Sequence, residues 1–297
     1  MSDVVVAIPS FRRPEQLAGL LYALADQVAA IGARVVVIDN DPAGSAGPVA
    51  EARSVARVVE PARGLAAVRN RALDEAADAA AIVFIDDDEL PDDDWLATLV
   101  ARWRHSGAAA VSGRVETVFP DGFRDPWITD GGFFRRVRFE DGARQAAAAT
   151  NNLLLDLDFV RRHGLRFDEE FGMSGGEDIF FTKQLVRAGG TIVSCPAALV
   201  HDVVDPARLT RRWVLRRAYR VGMTSVQTDL GLGGGLGVRV KALVGGAARV
   251  VIGGARWVAG EVLRSTGHSA RGARAAWRGA GMVMGALGRR YQEYALR

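Results

Sequence analysis

Three short apolar runs, each closed by polar residues, constrain this chain more than any other feature. Val4 to Ile8 stops at Pro9. Ala33 to Ile38 stops at Asp39-Asn40-Asp41-Pro42. Ile82 to Ile85 runs directly into Asp86-Asp87-Asp88-Glu89. Short runs rich in Val and Ile, bounded by turn signals, fit strands buried on both faces. Between them, Pro14 to Ala30 carries Leu17, Leu20, Leu21 and Leu24 at helical spacing, and Gly64 to Ala81 is alanine-rich and helical. Alternating strands and helices predict an α/β fold, a mostly parallel sheet flanked by helices. Ligands of such sheets bind outside the strands' carboxyl ends. Asp39 and Asp86 to Asp88 are therefore expected to face one crevice.

Further along, Pro91 to Arg104 reads as a helix whose acidic first turn suits the helix dipole. Ala108 to Val118 reads as a strand, Phe119 to Ala149 as an irregular excursion, Leu153 to Leu155 as a strand, and Asp158 to His163 as a helix. A glycine loop, Gly172 to Gly176, precedes a helix at Glu177 to Ala188 and a strand at Thr191 to Ser194. The chain shows no solenoid-type repeat. Its 297 residues, 49% of them hydrophobic, suffice for one sizeable core and a second, smaller region.

From Leu209 the character changes. The chain has 38 basic and 35 acidic residues, of which 16 basic and 3 acidic lie from Thr210 onward. The first 209 residues are therefore acidic and the remainder strongly basic, which points the second part at something anionic. Arg211 to Met223 is a basic helix candidate, Gly231 to Gly237 a hinge, and Arg239 to Leu263 an amphipathic helix with Lys241, Arg249 and Arg256 on one side. Cations interrupt every apolar run short of the roughly 18 residues that span a bilayer. The expectation is a region, 209–297, lying on an anionic membrane surface. The alternative is a basic helix pair packed on the chain's own acidic part. Apolar residues dominate between the cations, which argues against nucleic acid. The N-terminus lacks the n- and h-regions of a signal peptide, and a single cysteine, Cys195, permits neither an internal disulfide nor a thiolate zinc cluster. The expected location is cytoplasmic, peripheral on the inner face of the cell membrane.

Three adjacent carboxylates repel one another unless a cation or solvent compensates. Placed just after a buried strand, Asp86-Asp87-Asp88 suits Mn2+ or Mg2+, hard ions that take oxygen ligands and bridge phosphates. Such an ion also stabilises a leaving nucleotide.

Five segments now stand in a familiar order: Ala7-Ile8-Pro9-Ser10-Phe11-Arg12, Val37-Ile38-Asp39-Asn40, Gly64-Leu65 with Arg69-Asn70, Phe84-Ile85-Asp86-Asp87-Asp88, and Gly175-Gly176-Glu177-Asp178. Over about residues 3 to 222 the chain resembles family-2 glycosyltransferases, most of all bacterial enzymes that extend lipid-linked saccharides for exopolysaccharides of the succinoglycan type. The resemblance implies a GT-A catalytic domain over 1–208 and transfer of a sugar from a UDP-sugar, UDP-glucose first, to an acceptor hydroxyl of a saccharide or lipid-linked glycan.

It also implies roles by position. Pro9, Ser10 and Arg12 would line the nucleotide pocket. Asp39 would accept from base or ribose, or else cap the turn before Pro42. Arg69 would meet the base or diphosphate, with Asn70 supporting its loop, unless it is a helix-surface arginine. Asp86 would bind ribose or metal-bound water, Asp87 would share the donor site, and Asp88 would ligate the metal; the assignment among the three stays open. Asp178 would be the base, with Glu177 and Gly176 at the acceptor and donor sugar, although acids at a helix start also favour the dipole. Asn152 would lie near the donor sugar. His201 would complete the metal site or be structural. Arg208, Arg211, Arg212 and Trp213 resemble the stretch that covers the diphosphate; membrane-facing cations are the alternative. A single displacement with inversion follows, since no separate nucleophile is evident. A nucleotidyltransferase acting on a sugar phosphate is the competing enzyme, but Pro9 to Pro14 has no glycine-rich phosphate loop. A non-enzymatic membrane-binding protein would leave the acidic strand ends unexplained.

Overall fold

The computed structural model describes residues 3–171 and 175–289. In chain order the elements are β1 (Val4–Ser10), α1 (Pro14–Ile31), β2 (Arg34–Asp39), α2 (Gly47–Ala52), β3 (Ala56–Val59), α3 (Leu65–Glu75), β4 (Ala81–Ile85), β5 (Glu89–Pro91), α4 (Trp95–Ser106), β6 (Ala110–Val118), α5 (Pro126–Asp130), β7 (Arg144–Gln145), β8 (Asn152–Asp156), α6 (Leu157–Arg162), α7 (Glu177–Arg187), β9 (Ile192–Val203), α8 (Arg211–Gly231), α9 (Leu236–Val262) and α10 (Thr266–Ala286). The first three residues of the expected 172–176 loop lie outside the described residues.

The chain divides into two compact units. The first comprises Met1–Glu116, Arg136–Gly172 and Glu177–Asp202. The second comprises Thr117–Arg135, Met173–Gly176 and Val203–Arg297. The compositional change at Leu209 thus falls near the start of the second unit's long segment. The stretch Thr117–Arg135 also belongs to that unit.

The first unit is built on a sheet of order β3-β2-β1-β4-β8-β6-β9-β5, with β7 on β9. Strands β3, β2, β1 and β4 are parallel. The parallel expectation holds for this half. Beyond β4 the pairs β4–β8, β6–β8, β5–β9 and β7–β9 are antiparallel. Alternation along each strand divides the core between the two sheet faces. Val5, Ala7, Ile82, Phe84, Leu153 and Leu155 pack with α3, α6 and α7. Val4, Val6, Ile8, Val83, Ile85 and Leu154 pack with α1 and α4, where Leu17, Leu20, Leu24, Leu96 and Leu99 are fully buried. Each such side chain contributes about 1.5–3 kcal/mol.

Two expectations change. Pro91 does not open a helix; it ends β5, whose residues Glu89, Leu90 and Pro91 pair with Asp202, His201 and Val200 of β9. Asp92 to Asp94 therefore precede α4, which starts at Trp95. Strand β9 runs twelve residues, through Pro196 and on past His201.

In the second unit α10 packs against α8, α9 and α5. An apolar cluster of Trp127, Ile128, Val214, Ala270 and Ala273 joins α5, α8 and α10, and Trp127 Nε1 donates to Ser269 at 2.8 Å.

Candidate active site

The parallel half of the sheet presents its carboxyl ends together. Ser10 is in register with Asp39. Pairing of β1 with β4 stops at Ala7 and Phe84, two residues before Pro9, whose nitrogen has no hydrogen to donate. Beyond that point the acid run turns across the end of β1. Ser10 Oγ donates to Asp87 Oδ2 at 2.9 Å, and Arg13 Nη1 reaches Asp87 Oδ1 at 2.9 Å and Asp88 Oδ2 at 2.8 Å. Arg13, one place beyond the expected Arg12, is thus the cation that offsets two of the three carboxylates. Arg12 itself is exposed, with φ 56°, and pairs with Asp41 at 3.4 Å.

Asp39 is fully buried and holds the following loop. Its Oδ1 accepts from the Asp41 amide at 3.1 Å, and its Oδ2 from the Ala46 amide at 3.0 Å and Arg57 at 3.3 Å. The turn-capping role weighed in the sequence is present.

Asp86 belongs to a second group. Burial pushes its carboxyl up to about 7; Arg69 opposes the rise, while Asp88, Asp87 and Asp202 add to it. Arg69, on α3, is buried and makes an ion pair with Glu177 at the start of α7. Its guanidinium stands 5.8 Å from the ring of Phe167, which stacks on Phe181 in the core. Burial works against the Arg69 charge, and Glu177, Asp86 and Asp178 more than restore it, so its pKa lies above the ordinary value. Burial likewise raises Glu177, against the pull of Arg69. Among the described residues Arg69 Nε and Glu177 Oε2 are buried without a hydrogen-bond partner. Asn70, next to Arg69, accepts from the Phe167 amide and donates to its carbonyl, both at 2.9 Å, fixing the segment beneath the arginine. Asp178 is half-buried and its Oδ1 accepts from the Ile179 amide at 2.7 Å. One arginine therefore joins the strand-end acid to the Glu177-Asp178 pair, 91 positions further along the chain.

The approach to α7 requires glycine. Gly175 and Gly176 have φ 77° and 96°, a left-handed region that residues with a Cβ rarely occupy. A Cβ on Gly176 would press on Thr224 and Thr228 of α8.

Two expected site residues point elsewhere. Asn152 is buried; its amide nitrogen donates to the carbonyls of Arg114 at 2.9 Å and Ala198 at 3.0 Å, and its oxygen accepts from Trp95 Nε1 at 2.9 Å. It ties the sheet to α4, with both amide hydrogens and one oxygen lone pair engaged. His201 turns to Asp92, with Nε2 at 2.9 Å from Oδ1. The neighbours of both residues lie on the acid side. Asn151 donates to Glu89 at 2.6 Å, and Asp202 is the cross-strand partner of Glu89 and pairs with Arg136. Glu89 also accepts from the Asp86 amide, and burial, reinforced by Asp86 and Asp202, holds it well above the usual carboxylate range. Arg13, Glu89, Asn151 and Asp202 were not evident from the sequence pattern.

Arg211, Arg212 and Trp213 lie at the start of α8 in the second unit. There Arg211 pairs with Asp125 and stands over Trp127, and Trp213 stacks on Phe134 with Arg208 and Arg217 over its ring.

The glycosyl transferase family 2 model matches residues 5–158. The succinoglycan biosynthesis protein ExoM of Rhizobium meliloti is 34% identical over 228 residues, covering 74% of this chain and 72% of that protein. The mannosyltransferase PcManGT from Pyrobaculum calidifontis, solved with GDP-Man and Mn2+, matches with a TM-score of 0.64 at 16% identity, over 97% of this chain and 88% of that one. S. aureus TarS 1-349 with UDP-GlcNAc matches with a TM-score of 0.54 at 14% identity, over 97% and 93%; of the longer TarS chain, 42% is covered. With its strand-end acids, its Glu177-Asp178 pair and these likenesses, the chain belongs to glycosyl transferase family 2 and is a glycosyltransferase of the GT-A fold.

Proposed function

We propose that this enzyme moves a sugar from a UDP-sugar, UDP-glucose first, to a hydroxyl of a lipid-linked saccharide in exopolysaccharide synthesis, with inversion and with Mn2+ or Mg2+. The observation that carries the reading is the grouping of Asp86, Arg69, Glu177 and Asp178. In this reading Asp86 is the donor-side carboxylate and Asp178 the acceptor-side one, about one buried cation. The UDP-GlcNAc complex of TarS and the biosynthetic role in ExoM's name support donor and product class.

The donor set suits a cation that arrives with the nucleotide. Among the described residues no three His, Cys, Asp or Glu side chains gather as a metal site. Asp88 would then supply an oxygen ligand, and phosphate oxygens and water the rest, as Mg2+ sites on nucleotides are commonly built. Bound there, the ion would neutralise charge on the leaving diphosphate. Ser10, Arg12 and Asp39 mark the nucleotide side of the proposal. Asp178 takes the proton of the acceptor hydroxyl as its oxygen attacks the anomeric carbon. The bond to the diphosphate breaks on the opposite face, so one displacement inverts the configuration. Arg69 holds Glu177 and orients the start of α7.

The test is titration of UDP into the protein with Mn2+ and with EDTA, beside a transfer assay. Binding should require the metal and be lost in Asp88→Asn. Asp178→Asn should leave UDP binding intact and slow transfer about 10²–10⁴-fold. Full turnover in Asp178→Asn would remove it as base. Binding of GDP but not UDP would overturn the choice of donor, and silence with both would overturn the donor site.

A further inference from the structure

Helix α9 places its small residues inward and its large ones outward. Its buried positions are Ala242, Gly246, Gly253 and Gly260. The three glycines, seven residues apart, meet α10 backbone to backbone. A Cβ on Gly253 would lie 2.6 Å from the Ala276 nitrogen, one on Gly246 would lie 2.8 Å from the Gly279 carbonyl, and one on Gly260 would collide with Ser269. On the other side stand Leu236, Val240, Val244, Val251, Val258 and Val262, the last 76% exposed and Val251 70%. At 100° per residue these six fall within an arc of about 80°. Ile252 and Leu263 extend the apolar surface on one flank, Val250 and Trp257 on the other, and all four are exposed.

Charge follows the same helix. Arg239, Lys241, Arg249, Arg256 and Arg264 are exposed along α9 and its end. Its acid, Glu261, accepts from Ser269 Oγ. No helix among the described residues is long and apolar enough to cross a membrane.

A helix pair in water buries its large apolar side chains and exposes small or polar ones. Glycine contacts with large residues outside are the pattern of helices whose outer solvent is lipid. We propose that the Val240–Val262 face of α9 lies in the surface of an anionic bilayer, its axis along the membrane and its cations among the headgroups. The 27 residues would extend about 40 Å over it, with Trp257 at the headgroup level that tryptophan favours. A seam with a second copy of the chain fits less well. The exposed apolar surface wraps more than half of the helix, whereas a two-helix seam is a narrow stripe. Two such basic helices would also repel. The inference does not depend on the donor reading.

The test is flotation of the full chain with vesicles of phosphatidylcholine, alone or with about one third phosphatidylglycerol. The chain should bind the anionic vesicles and release with salt. The variant Val244→Glu/Val251→Glu/Val258→Glu should lose binding by at least about tenfold while keeping the wild-type helical signal and unfolding midpoint in urea. Lys241→Gln/Arg256→Gln should bind more weakly and with less salt sensitivity. In wild type, brominated lipid should quench tryptophan emission, and Trp257→Phe should remove most of the quench. Absence of binding to anionic vesicles, wild-type binding by the triple variant, or no quench would each overturn the proposal. So would a lipid-free dimer that the triple variant dissolves without loss of vesicle binding.

Discussion

The two units use Val, Ala and Gly in opposite ways. In the first, large side chains close on each other: Trp95, Phe84, Phe167 and Phe181 are fully buried, and Phe167 stacks on Phe181 with centroids 4.1 Å apart. In the second, α10 meets α8 and α9 through glycines. A Cβ on Gly222 would collide with the Arg278 carbonyl, one on Gly281 with the Tyr219 carbonyl, and one on Gly279 would lie 2.5 Å from the Gly246 carbonyl. The sheet unit is specified by side-chain volume, and the seams of α10 with α8 and α9 by its absence. Hydropathy therefore locates the core of the sheet unit but, on α9, an outer surface.

Truncation should separate them most. Trp95→Ala opens a large cavity and strands the Asn152 oxygen that its indole now satisfies. It should destabilise the protein by about 3–5 kcal/mol in urea unfolding. Val251→Ala, on the exposed face of α9, should stay within about 0.5 kcal/mol. A loss of similar size at both positions would erase the contrast.

The polar centre of the first unit should be nearly as sensitive. Arg69→Met leaves Glu177 buried without its cation, at a cost of about 3–5 kcal/mol. Adding Glu177→Leu should recover most of that stability, because a buried ion pair is commonly replaceable by apolar residues. Transfer activity should not recover, since Asp178 and Asp86 would lose the positive charge that both feel. Recovery of both together would reduce Arg69 to a structural group.

The same division explains what the sequence discloses. Strands β1, β2 and β4 are legible because burial on both faces makes each a continuous apolar run ending in Pro or Asp. Helix α1 is legible through its leucines. Strand β5 is not: three residues, Glu89–Pro91, are strand only because β9 pairs with them. Helix α10 has no large-residue period to detect, since its buried positions are Ser, Ala and Gly. In the site, the acid run and Glu177-Asp178 are visible as chemistry, but their division of labour is not. Asn152 and His201 turn to Trp95 and Asp92, while their neighbours Asn151 and Asp202 face Glu89 and Asp86. Side chains along a strand alternate, so an error of one position reverses the face. Pattern alone does not fix that parity; the cross-strand register does.

The finest test lies on two adjacent residues. Gly253 sits in the seam, where a Cβ would be 2.6 Å from the Ala276 nitrogen and 2.9 Å from the Gly272 carbonyl. Those are backbone atoms, so relief requires α9 and α10 to separate. Gly253→Ala should therefore cost about 1–3 kcal/mol despite alanine's better helix propensity. At Gly254, one step around the helix, a Cβ meets nothing within 4 Å. Gly254→Ala should stabilise the helix by about 0.8–1 kcal/mol, the propensity difference alone. Both changes add one methyl group to neighbouring positions of one helix, so composition and hydropathy shift equally. Opposite signs in urea unfolding would trace the difference to backbone approach. Two stabilising substitutions would mean that α9 and α10 are not held at glycine distance, and the outward placement of α9's valines would then need another cause.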